Sequence, residues 1–196
     1  MKEYTRQTVG YYNEIANAYA EGNAAVVLRD KIDMFTELLP GNKILDVACG
    51  PGHDADYMGR KGFDSLGIDL SEEMIQIAQR RHNGRFEIMD FFNLTFEDNS
   101  FDGLWCSSAL VHVAKKDLPQ LLTDFRRILR DNGILGIITV KKQRILKDKD
   151  DRRKYIMYSK RELEEQLGNK GYEILVSDMF PYGGKDRLFL LSKNKK

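Results

Sequence analysis

Short apolar runs that alternate with amphipathic stretches constrain this chain more than any other feature. Lys43–Val47, Asp64–Ile68, Arg85–Met89, Phe101–Cys106 and Gly133–Val140 read as buried strands. The spacing predicts a helix from about Asp54 to Arg60, closing near Gly62. Ser71 caps the next helix, with Glu72 and Glu73 at its positive end and Met74, Ile75 and Ala78 on its apolar face. A third runs from Asp117, as its cap, to about Arg130, turns Leu118, Leu121, Leu122, Phe125, Ile128 and Leu129 inward, and stops at Asn132-Gly133. Ser159-Lys160-Arg161-Glu162 is a capping box for a further helix that Gly171 closes. Tyr172–Val176 and Arg187–Leu191 are the last two strands. Strands alternating with helices imply a parallel sheet covered on both faces. Only about ten residues, Pro181, Gly183 and Gly184 among them, separate the last two strands. That is too short for a helical crossover, so the last strand runs antiparallel. The expected fold is α/β: a Rossmann-like, doubly wound, seven-stranded sheet, mostly parallel, with one reversed strand at or near an edge.

Ahead of this pattern, Tyr12, Ile15, Ala16 and Tyr19 recur at helical spacing, as do Val27, Ile32, Phe35, Leu38 and Leu39, until Pro40-Gly41 ends the run. The chain has 196 residues and a net charge of +1 from 31 basic and 30 acidic side chains, which argues against a global pull toward nucleic acid or a membrane. Cys49 and Cys106 form no CxxC pair and no disulfide framework. The N-terminus lacks a signal-type apolar block, and no apolar run approaches membrane-spanning length. The expectation is a soluble, cytoplasmic chain. No cluster with metal-ligand spacing is visible, so no metal is assigned.

The first strand ends in Leu45-Asp46-Val47-Ala48-Cys49-Gly50-Pro51-Gly52. Ligands of doubly wound sheets sit at the carboxyl ends of strands where the strand order reverses, and Gly50 and Gly52 would let backbone approach one closely. A tight strand-to-helix turn without a ligand explains the same glycines. Residues 50–55 also satisfy the loose dinucleotide pattern GxGxxG/A, but Asp54 would repel a pyrophosphate at the helix N-terminus. With Asp46 adding negative charge, the loop suits an ammonium or sulfonium ligand without phosphate. Asp69, 17 residues beyond Gly52 at the end of the second strand, can accept bonds from both hydroxyls of a ribose, or it can serve as a helix cap. Asp90-Phe91, just after the third strand, can hold an adenine, or be a surface acid and a core aromatic.

Three such anchors on three successive strand ends resemble the class I S-adenosylmethionine-dependent methyltransferases. The similarity runs from about Tyr11 to the last strand and is strongest over ILDVACGPGHDADYMGRKGFDSLGIDLSEEMIQIAQR, residues 44–80. Phe101–Cys106 and Leu129–Leu135 resemble the family's later signatures, and Ala48 stands where the family usually has glycine. The resemblance implies sheet order 3-2-1-4-5-7-6 and S-adenosyl-L-methionine as cofactor, with S-adenosyl-L-homocysteine as product. It implies that Asp46, Ala48, Cys49, Gly50 and Gly52 line the methionine part, that Asp69 holds the ribose, and that Leu70 and Met74 pack on the adenine. Asp90 and Phe91 would bind the adenine edge, and Ser107 would lie near the sulfonium and methionine carboxylate. Tyr11, Tyr12 and Tyr19 resemble the segment that covers the cofactor in relatives, where aromatic faces favour a sulfonium. The implied organisation is a single domain, 1–196: a helical cap over 1–40, a cofactor-binding core over 41–140, and an acceptor side over 141–196.

Methyl transfer from a sulfonium is an in-line displacement that asks mainly for alignment and exclusion of water. An alcohol, phenol or ammonium acceptor also needs a base, for which His112 is the candidate; a structural histidine under the following loop is the other reading. His53 and His82 fit that role less well. The stretch 141–154 carries eight basic and three acidic residues without interleaved aromatics, a solvated loop more than a nucleic-acid platform. No Asn/Asp-Pro-Pro-Tyr-like tetrapeptide follows the fourth strand, which argues against a planar amino nitrogen as acceptor. A small-molecule acceptor is therefore expected. A methyltransferase acting on RNA or protein, and a non-catalytic S-adenosylmethionine-binding protein, are the alternatives.

Overall fold

The computed structural model describes residues 3–23, 28–141, 153 and 155–196. In chain order the elements are α1 (Glu3–Asn23), α2 (Arg29–Glu37), β1 (Lys43–Val47), α3 (His53–Arg60), β2 (Asp64–Asp69), α4 (Glu72–Arg81) and β3 (Arg85–Ile88). Then follow β4 (Phe101–Ser107), a 3₁₀ turn (Leu110–His112), α5 (Leu118–Ile128), β5 (Leu129–Val140), α6 (Lys160–Asn169), β6 (Tyr172–Tyr182) and β7 (Lys185–Asn194). Val27 lies outside the described residues, as do all of 141–154 except Lys141 and Arg153.

One seven-stranded sheet runs in the order β3-β2-β1-β4-β5-β7-β6. β1 pairs in parallel with both β2 and β4, so the strand order reverses between β1 and β4. That reversal opens a crevice at their carboxyl ends. β7 is antiparallel to β5 and to β6, which forms the edge. Side chains alternate along β4: Leu104 and Cys106 face a core built with α5 and α6, while Trp105 faces a second core with Phe35 of α2 and Met58 of α3. Both faces of the sheet are thereby covered. Among the described residues, no helix is long and apolar enough to cross a membrane.

The short-range signals act as the sequence predicts at two helices. Ser71 Oγ accepts the Met74 N–H at 3.2 Å. The Ser159–Glu162 box closes in both directions, at 3.2 and 2.7 Å. Three local expectations are corrected. Asp117 occupies the cap position of α5 without a side-chain capping bond. That helix ends at Ile128 instead of Arg130, because Leu129 pairs with Phe101 in the sheet. The Asn194 amide from β7 then serves the carbonyls of Arg126, Leu129 and Arg130 at 3.0–3.3 Å, which supplies the helix end with partners. Asn132, at φ 60°, lies inside β5 as part of the irregularity between Phe101 and Gly103 in the partner strand. Finally, the last two strands absorb their predicted connection. Only Gly183-Gly184 remains as a loop, both residues at positive φ as a tight hairpin turn requires, and Pro181 is tolerated because β6 is an edge.

Candidate active site at the carboxyl edge

The crevice is floored by the loop from β1 to α3. Asp46 is 2% exposed and points away from the core that takes Leu45 and Val47. It accepts a bond from the Ala55 N–H, while its Oδ2 has no partner. Burial, with the charges of Asp54 and Asp69 adding to it, pushes its pKa well above the usual carboxylate range. Asp54 accepts the Trp105 indole N–H at 2.8 Å and sits in the first turn of α3, two contacts that favour its charge; burial still raises its pKa.

Ala48, Gly50 and Gly52 all have positive φ, 56°, 54° and 83°. The two glycines do different things. A Cβ on Gly50 would face only Tyr19, at 4.0 Å, whereas one on Gly52 would strike Phe86 at 2.6 Å. Gly50 therefore presents bare backbone to the crevice, and Gly52 lets α3 pack against the sheet. The Cys49 N–H donates to Ile68 O at 2.9 Å, and burial pushes the Cys49 thiol pKa up, which makes it an inert packing group.

Asp69 joins the strand ends. Its Oδ2 accepts the Gly50 N–H at 2.9 Å and its Oδ1 the Ser71 N–H at 2.8 Å. A carboxylate has about four acceptor sites, so capacity remains toward the crevice. The capping and ligand readings of this residue are therefore compatible. Burial raises its pKa, and the backbone donors oppose that shift.

The crevice is a chain of adjoining compartments. The first, about 120 Å³, is bounded by Asp46, Cys49, Gly50, Asp54, Ser107 and Arg187. The second, about 70 Å³, lies between Asp69, Met74, Ser107 and His112. The third, also about 70 Å³, is an apolar slot between Leu70, Phe91 and Phe92, and includes Thr5 and Thr8. Tyr19 borders the first two and Tyr12 the second and third, so α1 roofs the whole. Ser71 Oγ, bonded to Asn13 Oδ1 at 2.6 Å, fastens that roof to α4. The Tyr12 hydroxyl lies 3.0 Å from His112 Nε2, and its ring meets Tyr19 edge-on at 5.4 Å.

Ala48, Cys49, Gly50, Asp46, Asp69, Leu70, Met74, Phe91, Ser107, Tyr19 and His112 are thus brought to one crevice. Tyr11, Gly52 and Asp90 do not line these compartments. Tyr11 stacks under the Arg153 guanidinium at 5.2 Å, and Asp90 closes its own turn by accepting the Phe92 N–H at 2.9 Å. His53 borders the first compartment, and His82 lies against Asp56 at 3.3 Å. Sequence reasoning missed Arg187, Ser108, Thr5 and Thr8. The threonines precede Tyr12 on the helical repeat and could have been found by it; their buried hydroxyls have no partner. Ser108, at φ 64°, and Arg187 carry no local signal. Among the described residues, no group of three or more His, Cys, Asp or Glu is placed to hold a metal.

Residues 44–133 match the family model described as "Methyltransferase domain". Methyltransferase GfsG of Streptomyces halstedii is 26% identical over 139 residues, 67% of this chain and 49% of that protein. Phosphoethanolamine N-methyltransferase 1 of Zea mays is 32% identical over 129 residues, 63% of this chain and 25% of that protein. The chain thus spans half or less of the length of these curated relatives. In fold it resembles the Burkholderia thailandensis 1,6-didemethyltoxoflavin-N1-methyltransferase, solved with 1,6-didemethyltoxoflavin and S-adenosylhomocysteine. The TM-score is 0.81 and the identity 20%, over 99% of this chain and 90% of that one. Matched to a methyltransferase domain over residues 44–133 and similar in fold to a solved methyltransferase, the chain resembles the class I S-adenosylmethionine-dependent methyltransferases.

Proposed function

We propose that the protein transfers a methyl group from S-adenosylmethionine to a small-molecule acceptor. The observation that carries the reading is the pair Asp69 and Gly50. A buried carboxylate, already bonded to the bare backbone of the glycine loop, borders the crevice and keeps acceptor capacity there. The residues present fit the cofactor. The unpartnered Asp46 Oδ2 suits an ammonium, Asp69 a ribose diol, and the slot of Leu70 and Phe91 a flat base. The Asp90 role is supported less well, since that carboxylate serves its own turn.

S-adenosylmethionine supplies a methyl group already activated on a sulfonium. The chain's own residues hold, align and dry the site: the α1 tyrosines cover it, and His112, whose Nε2 lies 3.0 Å from the Tyr12 hydroxyl, is the group to accept a proton there once the acceptor takes that hydroxyl's place. The compartment beside His112 is small, which favours a small acceptor, and relatives named for phosphoethanolamine and 1,6-didemethyltoxoflavin agree with that. The same reading makes 1–196 a single domain with its acceptor side beyond residue 140. It places the protein in the cytoplasm, in line with two free cysteines.

Calorimetry with S-adenosylmethionine, S-adenosylhomocysteine and NAD tests the cofactor, and a cofactor-consumption screen of small acids, phenols and amines tests the acceptor. Asp69→Ala removes charge-assisted bonds that contribute about 1.5–3 kcal/mol each, so cofactor affinity should fall about 100-fold or more. An unchanged affinity in that variant refutes the ribose role.

A further inference from the structure

Arg187 has no function in the reading so far, and its surroundings are unusual. It is the third residue of β7 and pairs with Val140, the last of β5, which puts it at the carboxyl edge of the sheet. Its guanidinium lies 5.3 Å from the Tyr182 ring centroid, and Nη1 donates to Ser108 Oγ at 3.1 Å. Its Nε is buried without a partner. The neighbouring Asp186 is turned to Lys141, 3.5 Å away, and among the described residues no carboxylate pairs with Arg187. Half-buried charges are ordinarily paired, because the lost hydration must be replaced. Among the described residues nothing supplies the replacing anion, which leaves that place to a ligand.

Two unsatisfied buried atoms of opposite character border the same compartment, Arg187 Nε and Asp46 Oδ2. An inorganic or ester phosphate would meet Arg187 but would also face the carboxylates of Asp46 and Asp54. An α-amino acid group carries both charges, and it satisfies both orphans. The acceptor is a poorer source of the anion, because Arg187 does not border the compartments that contain His112.

We infer that Arg187 binds the α-carboxylate of the cofactor's amino-acid tail, and that with Asp46 it forms a receptor for the zwitterion. The guanidinium offers Nε and a terminal nitrogen in the planar fork that matches a carboxylate, while Ser108 Oγ holds the fork in place from Nη1. Ser108 adopts its strained left-handed backbone where this contact is made. The inference rests on the cofactor reading above.

The test uses the full chain and two probes: S-adenosylhomocysteine, which has the amino-acid tail, and 5′-methylthioadenosine, which lacks it. In Arg187→Met the affinity for S-adenosylhomocysteine should fall about 10- to 100-fold, the loss expected for a charge-assisted pair, and that for 5′-methylthioadenosine should stay within about 2-fold. Arg187→Lys should recover part of the loss, since it keeps the charge without the fork. If Arg187→Met folds poorly by circular dichroism, Arg187→Gln replaces it with the same expectation. An equal fall for both probes, or no fall for either, overturns the inference and leaves the cofactor reading intact. A wild-type protein that binds neither probe overturns the cofactor reading, and this inference with it.

Discussion

Gly136→Ala is the sharpest test of how the core supports the site. Gly136 lies in β5 beside Trp105 of β4. A Cβ there would stand 2.6 Å from Trp105 Cε3, 2.8 Å from Cζ3 and 3.1 Å from Phe35 Cδ2. Ordinary carbon contacts are about 3.5–4.0 Å, so the indole must move by about 1 Å. It has little room to do so. Trp105 is fully buried, lies 5.1 Å from the Phe35 ring centroid and 6.5 Å from that of Phe189, and is tied by Nε1 to Asp54 at 2.8 Å. Overpacking costs about 1–3 kcal/mol. A tilt that breaks the indole bond leaves a buried carboxylate without its donor, about 1–3 kcal/mol more. Alanine's smaller entropy loss on folding returns about 0.5–1 kcal/mol.

The net expectation is a loss of about 2–4 kcal/mol, or roughly 4–16 °C in Tm for a chain of this size. Urea unfolding followed by fluorescence measures it, and since Trp105 is the single tryptophan the signal reports the strained ring itself. Trp105→Phe removes the ring edge that the new methyl strikes, so the double variant should show a favourable coupling of about 1 kcal/mol or more. A loss below about 0.5 kcal/mol in Gly136→Ala, or strict additivity in the cycle, would refute this account of the packing.

Asp46→Asn should stabilise the ligand-free protein at pH 7–8 by about 1–3 kcal/mol, because it removes a buried charge that has one open oxygen, and it should weaken cofactor binding. The sign follows from the raised pKa. The wild-type carboxyl contributes stability at low pH that disappears as pH climbs through its folded-state pKa, so thermal melts of wild type and Asp46→Asn should diverge as pH rises; parallel pH profiles would count against it. The glycine pair should separate. Gly52→Ala should lower stability by about 2 kcal/mol or more, from a left-handed φ and a blocked Cβ, whereas Gly50→Ala should cost about 1 kcal/mol yet lose more cofactor affinity, with equal melts for the two variants contradicting the division of labour.

Much of the architecture was legible in the residues themselves. The first five strands, the Ser71 and Ser159 caps and the reversed last strand all follow from neighbours within a few positions, where periodicity and capping chemistry act. The signal failed at Leu129, whose apolar side chain suits a helix face and a buried strand equally, and pairing with Phe101 decided the matter. It failed again at the terminal hairpin, where Pro181 reads as a breaker until its strand is known to be an edge.

The acids at Asp46 and Asp69 and the glycine loop were visible because strand ends and loop spacing place them together in any doubly wound sheet. What each of them does depended on contacts the sequence does not order. Phe86 makes Gly52 a packing residue, whereas Gly50 presents bare backbone to the crevice. Arg187 reaches Ser108 across 79 positions only because β7 inserts antiparallel between β5 and β6 in one register. A shift of one residue would turn its side chain to the opposite face. Local chemistry is written in adjacent residues, whereas convergence of distant ones is set by the register of the sheet, and only the folded chain holds that information.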